Sequence, residues 1–90
     1  MIFIFNNPVN VSFYMKDTLI PLDIICINED FEVSKVYKGL PNDNTLLPCN
    51  DVIFVVELNQ NSGVKVGDDF DIIDDTEYPV MRVLSSNGDS

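Results

Sequence analysis

Asp23 and Glu57 are the carboxylates best placed for chemistry, because each borders an apolar run. A carboxylate within an apolar strand must be paired, protonated or exposed. Two that share a cleft could act together in hydrolysis, as in a glycosidase. The alternative is structural: Asp23 accepts hydrogen bonds from Lys16, Thr18 and local backbone amides and fixes the Asp17-Thr18 turn. We favour this structural role, because buried polar groups are normally satisfied by near neighbours.

The remaining candidate nucleophiles are the thiols of Cys26 and Cys49. The sequence has no histidine, so neither thiol has the usual base that raises its thiolate fraction. A zinc site would have to combine two thiolates with carboxylates, which is an unusual ligand set. We therefore expect two reduced, buried thiols that act as small hydrophobes, with a structural disulfide as the alternative. We expect no cofactor and no catalytic residue, and we predict that the protein is not an enzyme.

An acidic run covers residues 68–77, with six carboxylates in ten positions. Calcium prefers such oxygen-rich segments, but the spacing is not that of an EF-hand. In a strand, Asp69 and Asp71 would point to one face while Asp68 and Asp74 point to the other. We expect a solvated acidic face, with a weak cation site as the alternative.

Charge and size narrow the possible partners. Five basic and fifteen acidic residues give the 90-residue chain a net charge of −10. Such a field repels nucleic acid and anionic lipid and favours basic proteins. The chain is 46% hydrophobic, which argues against disorder. No apolar run is long enough to span a bilayer and no signal peptide is evident. We expect a soluble protein, cytoplasmic or incorporated in a particle.

The hydrophobic pattern is that of short strands rather than helices. Apolar residues alternate or form short runs, and turn signals such as Asn6-Asn7-Pro8 separate them. Gly39 to Asp51 is interpreted as a surface loop. We predict a mainly β fold, a small barrel or sandwich of six to seven short strands, in one domain over residues 1–84 with a flexible tail over 85–90. The main candidate strands are Ile2–Phe5, Val11–Met15, Leu22–Asn28, Glu32–Tyr37, Val52–Val56, Phe70–Ile73 and Val80–Leu84.

The segment from Phe13 to Ile25 resembles the signature F-W-M-K-N-T-L-x-P-L-D of the family called domain of unknown function 192. Later blocks match it in order, over about two thirds of the chain. The resemblance implies a compact, mostly β fold and no assigned activity. Asp17 stands where the family usually has asparagine. The matching positions that we interpret as structural are Met15, Lys16, Asp17, Thr18, Pro21, Leu22, Asp23, Glu57, Gly67 and Asp68.

Family members usually begin one strand earlier than this chain, and a missing first strand would leave an exposed sheet edge. We expect Tyr78 to Leu84 to fill that edge, and the alternative is a strand from another chain.

These expectations indicate only a general class of function. We expect a non-enzymatic structural or protein-interaction module that packs onto a larger assembly, for example a phage particle, through its edge or the Gly39–Asp51 loop. The partner is either another protein or, through self-association, a second copy of this chain. One alternative is a small-ligand or hydrolytic domain that uses Asp23 and Glu57, and a minor alternative is an acidic mimic of nucleic acid.

Overall fold

Six β-strands make up the regular structure of the protein in a computed structural model that describes residues 1–73 and 80–84. Within those two ranges there is no helix, so the predicted mainly β fold is confirmed. The predicted tail over residues 85–90 lies outside them. The strands are β1 Ile2–Phe13, β2 Leu22–Asn28, β3 Val33–Gly39, β4 Leu47–Asn59, β5 Asp69–Ile73 and β6 Val80–Leu84.

Four of the strands form one antiparallel sheet in the order β1-β4-β2-β3, and β5 and β6 form a separate antiparallel pair. The long strand β4 is central: its first residue pairs with the end of β1 and its last pairs with Leu22 of β2. Across the described strands the large sheet is open, with β1 and β3 at its edges, rather than a closed barrel. Backbone hydrogen bonds join β5 to the beginning of β3, with Phe70 N donating to Phe31 O at 2.7 Å and Val33 N to Asp68 O at 2.8 Å.

Strand β1 is longer than the sequence predicts, because the expected turn at Asn6-Asn7-Pro8 does not form. The chain stays extended, and its pairing with β4 shifts register on both sides of Val9. Proline has no N–H to donate and is tolerated on edge strands and at bulges, which is where Pro8 lies. The predicted Gly39–Asp51 loop is also shorter, since β4 already begins at Leu47.

The C-terminal segment does not cover the edge of the large sheet, so that prediction is wrong. Val80–Leu84 forms β6 and pairs with β5 along its whole length, from Asp69↔Leu84 to Ile73↔Val80. Strands close in sequence pair readily as a hairpin. Strand β6 therefore pairs with its neighbour β5 rather than with the edge of the large sheet. Tyr78 and Pro79 lie outside the described residues.

Two apolar cores lie on the two faces of β2, because its four consecutive apolar residues, Ile24 to Ile27, point alternately to either side. Ile24 and Cys26 point into the first core and Ile25 and Ile27 into the second. The first core also contains Met15, Cys49, Val52 and Val55, and the second contains Val33, Phe54, Val56 and Phe70.

Cys26 and Cys49 form a disulfide within the first core, so the prediction of two reduced thiols is wrong. Cys26 lies opposite Val55, which is six positions beyond Cys49 on β4, yet the two cysteine Cα atoms are 5.5 Å apart. Six residues of straight strand would cover ~20 Å. Strand β4 therefore bends back between them, at a register shift beside Val52 and the positive φ of 53° at Asp51.

Gly39 marks a close approach between β3 and the first core. A Cβ atom there would lie 2.6 Å from Met15 Sδ and 3.1 Å from the backbone oxygen of Leu22. We expect Gly39→Ala to lower the free energy of unfolding by about 1–3 kcal/mol through overpacking. Urea denaturation measures this.

Gly63→Ala is the control, because its added methyl would meet no heavy atom within 4 Å, although its φ of +81° carries a strain of about 1 kcal/mol. If Gly39→Ala lowers the free energy of unfolding by no more than Gly63→Ala does, the close packing of Gly39 against Met15 and Leu22 is contradicted.

Candidate interaction surface

Asp23 is the buried centre of a polar cluster at one end of β2, and its partners Ser62 and Lys38 are exposed. Its side chain is fully buried. Ser62 donates to Oδ2 twice, from Oγ at 2.6 Å and from the backbone N at 3.0 Å. Lys38 Nζ donates to both oxygens, at 3.3 and 3.4 Å. The carboxylate thus holds the end of β3 and the loop after β4 against β2.

The charge of this carboxylate is maintained by its partners. Burial raises the pKa of Asp23, but the hydrogen bonds from Ser62 and the charge and hydrogen bond of Lys38 outweigh it, and the pKa lies below its ordinary value of 3.8. The group is therefore ionised at neutral pH, with its oxygens engaged by Ser62 and Lys38. A carboxyl group in this state suits a structural acceptor better than a general acid.

The structural role predicted for Asp23 has partners other than the expected Lys16 and Thr18. Lys38 faces Asp23 because the β2–β3 register pairs the two positions, but this follows a register shift between Cys26 and Ile27, and a regular hairpin would place Tyr37 opposite Asp23 instead. No signal in the sequence indicates Ser62, which lies 39 positions away in a loop.

Backbone hydrogen bonds hold the Asp17-Thr18 turn instead. Thr18 N donates to Met15 O at 3.1 Å, and Asn42 N donates to Thr18 O at 3.1 Å. Asp17 has the positive φ of 60° that this turn requires, and its side chain is exposed, as is that of Lys16.

Glu57 is not brought together with Asp23. In the β2–β4 register Glu57 pairs with Ile24, whereas Asp23 pairs with Leu58. Residues directly opposite each other share a face and neighbours along a strand alternate, so the two carboxylates point to opposite faces of the sheet. The arrangement does not supply the shared cleft that the hydrolytic hypothesis needs.

The acidic run begins with a structural aspartate. Asp68 is buried and its Oδ2 accepts a hydrogen bond from Lys65 N at 2.9 Å, across a turn where Gly67 has a φ of 93°. Asp69 and Asp71 are exposed. Nowhere in residues 1–73 do three acidic or cysteine side chains stand together as metal ligands. Residues 74–77 of the run lie outside the described ranges.

Two neighbouring loops carry most of the exposed large apolar side chains of residues 1–71. They are the β1–β2 loop, residues 14–21, and the β3–β4 loop, residues 40–46. Besides the Asn42–Thr18 bond, Met15 N donates to Asp43 O at 3.0 Å. Met15 points inward and is buried in the first core. The loops are thus fixed to the protein and to each other, and we call the exposed residues of the two loops together the double-loop surface.

Five large apolar side chains are exposed on the double-loop surface. Nine are exposed among residues 1–71, the part of the chain whose side-chain exposure the structure describes, so these two short loops carry more than half of them. Leu19 is 81% exposed, the largest value of the nine. Pro21 is half-buried and borders, with Ile20, Asn59 and Gln60, an open cleft of about 280 Å³. The five side chains are Tyr14, Leu19, Ile20, Leu40 and Leu46.

Polar contacts within the β3–β4 loop add to its order. Asp43 accepts hydrogen bonds from Thr45 N at 2.9 Å and Thr45 Oγ1 at 2.7 Å, and these bonds lower the pKa of its carboxyl group. Leu22, which directly follows the β1–β2 loop, packs against the first core. An ordered apolar surface of this kind is typical of a contact site for another macromolecule.

The chain was compared with known protein families and solved structures. The chain is similar to a protein of unknown function from Novosphingobium aromaticivorans, whose crystal structure matches with a TM-score of 0.71 and 37% sequence identity. The match covers 77% of this chain and 54% of that one, so the chain spans about half the length of this relative. No curated protein matches, and no helix within the described ranges is long and apolar enough to cross a membrane. Residues 1–72 match the model of domain of unknown function 192, "Uncharacterized ACR", and the chain belongs to that family.

Proposed function

We propose that this protein is a non-enzymatic interaction module that attaches to another protein through the double-loop surface. The observation that carries the proposal is the concentration of five exposed large apolar side chains on two hydrogen-bonded loops. Exposed side chains of this size cost solubility and contribute little to the fold, so their presence in one place favours a partner. The pairing of Asp23 with Ser62 and Lys38 supports a role in shape rather than in chemistry.

The proposed partner is a protein rather than nucleic acid or an anionic membrane. The net charge of −10 repels phosphate groups of either kind. Burial of Leu or Tyr side chains against a protein surface needs no such charge complementarity. In this proposal the module is a structural accessory of a larger assembly, of which a phage particle is one example.

The disulfide bears on where the module works. Disulfides persist in oxidising surroundings and on particle surfaces, and are rare in the reducing cytosol. Of the two locations expected from the sequence, the bond between Cys26 and Cys49 therefore favours incorporation in a particle over the cytoplasm.

The proposal predicts that the exposed leucines are dispensable for folding. We expect the double variant Leu19→Ser/Leu40→Ser to keep its Tm within about 8 °C of the native value, because each surface change outside the packed core costs about 0.5 kcal/mol or less. Thermal unfolding followed by circular dichroism measures this.

The control is Ile4→Ser/Val66→Ser, which removes two apolar side chains that are 63% and 62% exposed outside the double-loop surface. A fall in Tm well beyond that of the control would assign Leu19 and Leu40 to the fold and contradict the proposed function.

A further inference from the structure

The double-loop surface is nearly neutral within a strongly acidic chain. Its two loops carry one positive residue, Lys16, and two negative ones, Asp17 and Asp43, against −10 for the whole protein. A surface that recognises a basic partner would be expected to concentrate acidic side chains around its apolar centre. The double-loop surface instead offers mainly apolar contact.

The acidic side chains that the structure describes are concentrated elsewhere. Leu19, Ile20 and Leu40 lie beside the Leu22↔Gly39 pair at one end of the β2–β3 hairpin. The acidic group lies at the other end, where the hairpin turns and where a bridge joins Glu32 to Asp69. Seven residues of strand separate the two ends by ~20 Å. The members of the acidic group are Glu29, Asp30, Glu32, Asp68, Asp69 and Asp71.

We propose that the double-loop surface binds a second copy of this chain and forms a two-fold symmetric dimer. The inference rests on the proposed function and names its partner. In a two-fold dimer the same patch meets itself, so a near-neutral apolar patch is self-complementary without opposite charges.

Electrostatic repulsion does not prevent this association. With Leu19 and Leu40 at the interface, the two acidic ends would point away from each other and lie ~40 Å apart. The screening length is about 8 Å at physiological ionic strength, so repulsion across that distance is small. The high net charge therefore opposes other modes of self-association more than it opposes this one.

The available area suits a weak to moderate dimer. Five large side chains with 54–81% of their surface exposed present on the order of 500 Å² of apolar area per copy. A standard interface buries about 800 Å² per partner, of which somewhat more than half is apolar. The neighbouring polar residues of the loops, such as Asn42 and Asn44, are placed to supply the remaining rim.

Sedimentation velocity of the full chain over a range of concentrations tests the inference. We expect a reversible monomer–dimer equilibrium whose dissociation constant rises at least ~10-fold in Leu19→Ser/Leu40→Ser, since burial of two leucines is lost, and changes little in Ile4→Ser/Val66→Ser. We also expect dimerisation to be unchanged or strengthened between about 0.05 and 0.5 M NaCl, because salt screens like charges.

Three outcomes would overturn the proposed dimer. The native chain could stay monomeric at every concentration, or the Ile4→Ser/Val66→Ser control could weaken the dimer as much as the leucine variant does. The third is a dimer that dissociates as the salt concentration rises, which indicates attraction between opposite charges.

The comparison of melting temperatures separates the dimer proposal from the proposed function. If the native chain is monomeric while the leucine variant melts at the native temperature, self-association fails and the proposed function still meets its own criterion. If the leucine variant melts far below the control, the proposed function fails whatever the sedimentation result.

Discussion

Replacement of both cysteines by alanine is expected to lower the free energy of unfolding by about 3 kcal/mol, which is what the closure of a loop of this length provides. The two cysteines are 23 positions apart and their side chains are buried in the first core. The bond fixes the bend of β4 against β2, so its loss frees the unfolded chain and loosens the core. The corresponding fall in Tm is on the order of 15 °C.

Urea denaturation of the native chain and of Cys26→Ala/Cys49→Ala, each with and without a thiol reductant, measures this effect. The reductant should destabilise the native chain and leave the variant unchanged, because the variant has no disulfide to reduce. Equal stability of the native chain with and without reductant, after mass spectrometry has confirmed reduction, would contradict the stabilising role.

Asp23→Ala is expected to lower the free energy of unfolding by about 1–3 kcal/mol, since it removes a buried carboxylate that accepts two hydrogen bonds from Ser62 and pairs with Lys38. Asp23→Asn keeps the shape and one acceptor oxygen and should lose less. Lys38→Ala should cost about 1 kcal/mol or less, because its side chain is 64% exposed. Urea denaturation at neutral pH measures the stability losses of the three variants and their order. An Asp23→Ala variant as stable as the native chain would contradict the role assigned to Asp23.

The stabilisation by Asp23 should depend on pH in one direction. Its folded pKa is below 3.8, so the stabilisation is fully present above the unfolded pKa and is lost as the pH falls through the folded pKa. The stability difference between native protein and Asp23→Asn should therefore be constant above about pH 5 and shrink below about pH 4. Comparison with this variant removes the contribution of the other carboxyl groups. A difference that grows on acidification would contradict the lowered pKa.

The strands that could be predicted are those whose pattern is local. The run from Leu22 to Asn28 is apolar apart from Asp23 and its final residue, Asn28, and β2 has these bounds in the structure. The β2–β3 hairpin follows from its turn, although Lys38 lies opposite Asp23 only because the register shifts by one residue between Cys26 and Ile27. These features depend on neighbours a few residues away, where propensity and alternation are informative.

The features that could not be predicted depend on distant pairing. Asn6-Asn7-Pro8 has the composition of a turn, but β4 supplies a partner for the strand on either side, so β1 continues past it. The disulfide depends on the bend in β4, and nothing in the spacing of two cysteines reveals a bend between them. The contact of Ser62 with Asp23 depends on the path of a loop, which leaves no periodic signal.

The double-loop surface illustrates the same division. The sequence indicates a loop near Gly39–Asp51 and a turn at Asp17-Thr18, but not that the two segments are hydrogen-bonded neighbours. That contact brings together the two loops that carry the exposed Leu19 and Leu40. The sequence therefore indicates each of the two loops but not their combination into one site.

The most direct test of the proposed interaction is a comparison of binding by three immobilised baits: the native chain, Leu19→Ser/Leu40→Ser and Ile4→Ser/Val66→Ser. Each is exposed to soluble native chain and to an extract of the source organism, and the bound proteins are quantified by mass spectrometry. We predict that the native bait and the Ile4→Ser/Val66→Ser bait retain the same protein, whether a second copy or another chain, and that the leucine variant loses at least ~90% of it. Equal retention by all three baits, or retention by none, would contradict the claim that this surface is built for binding.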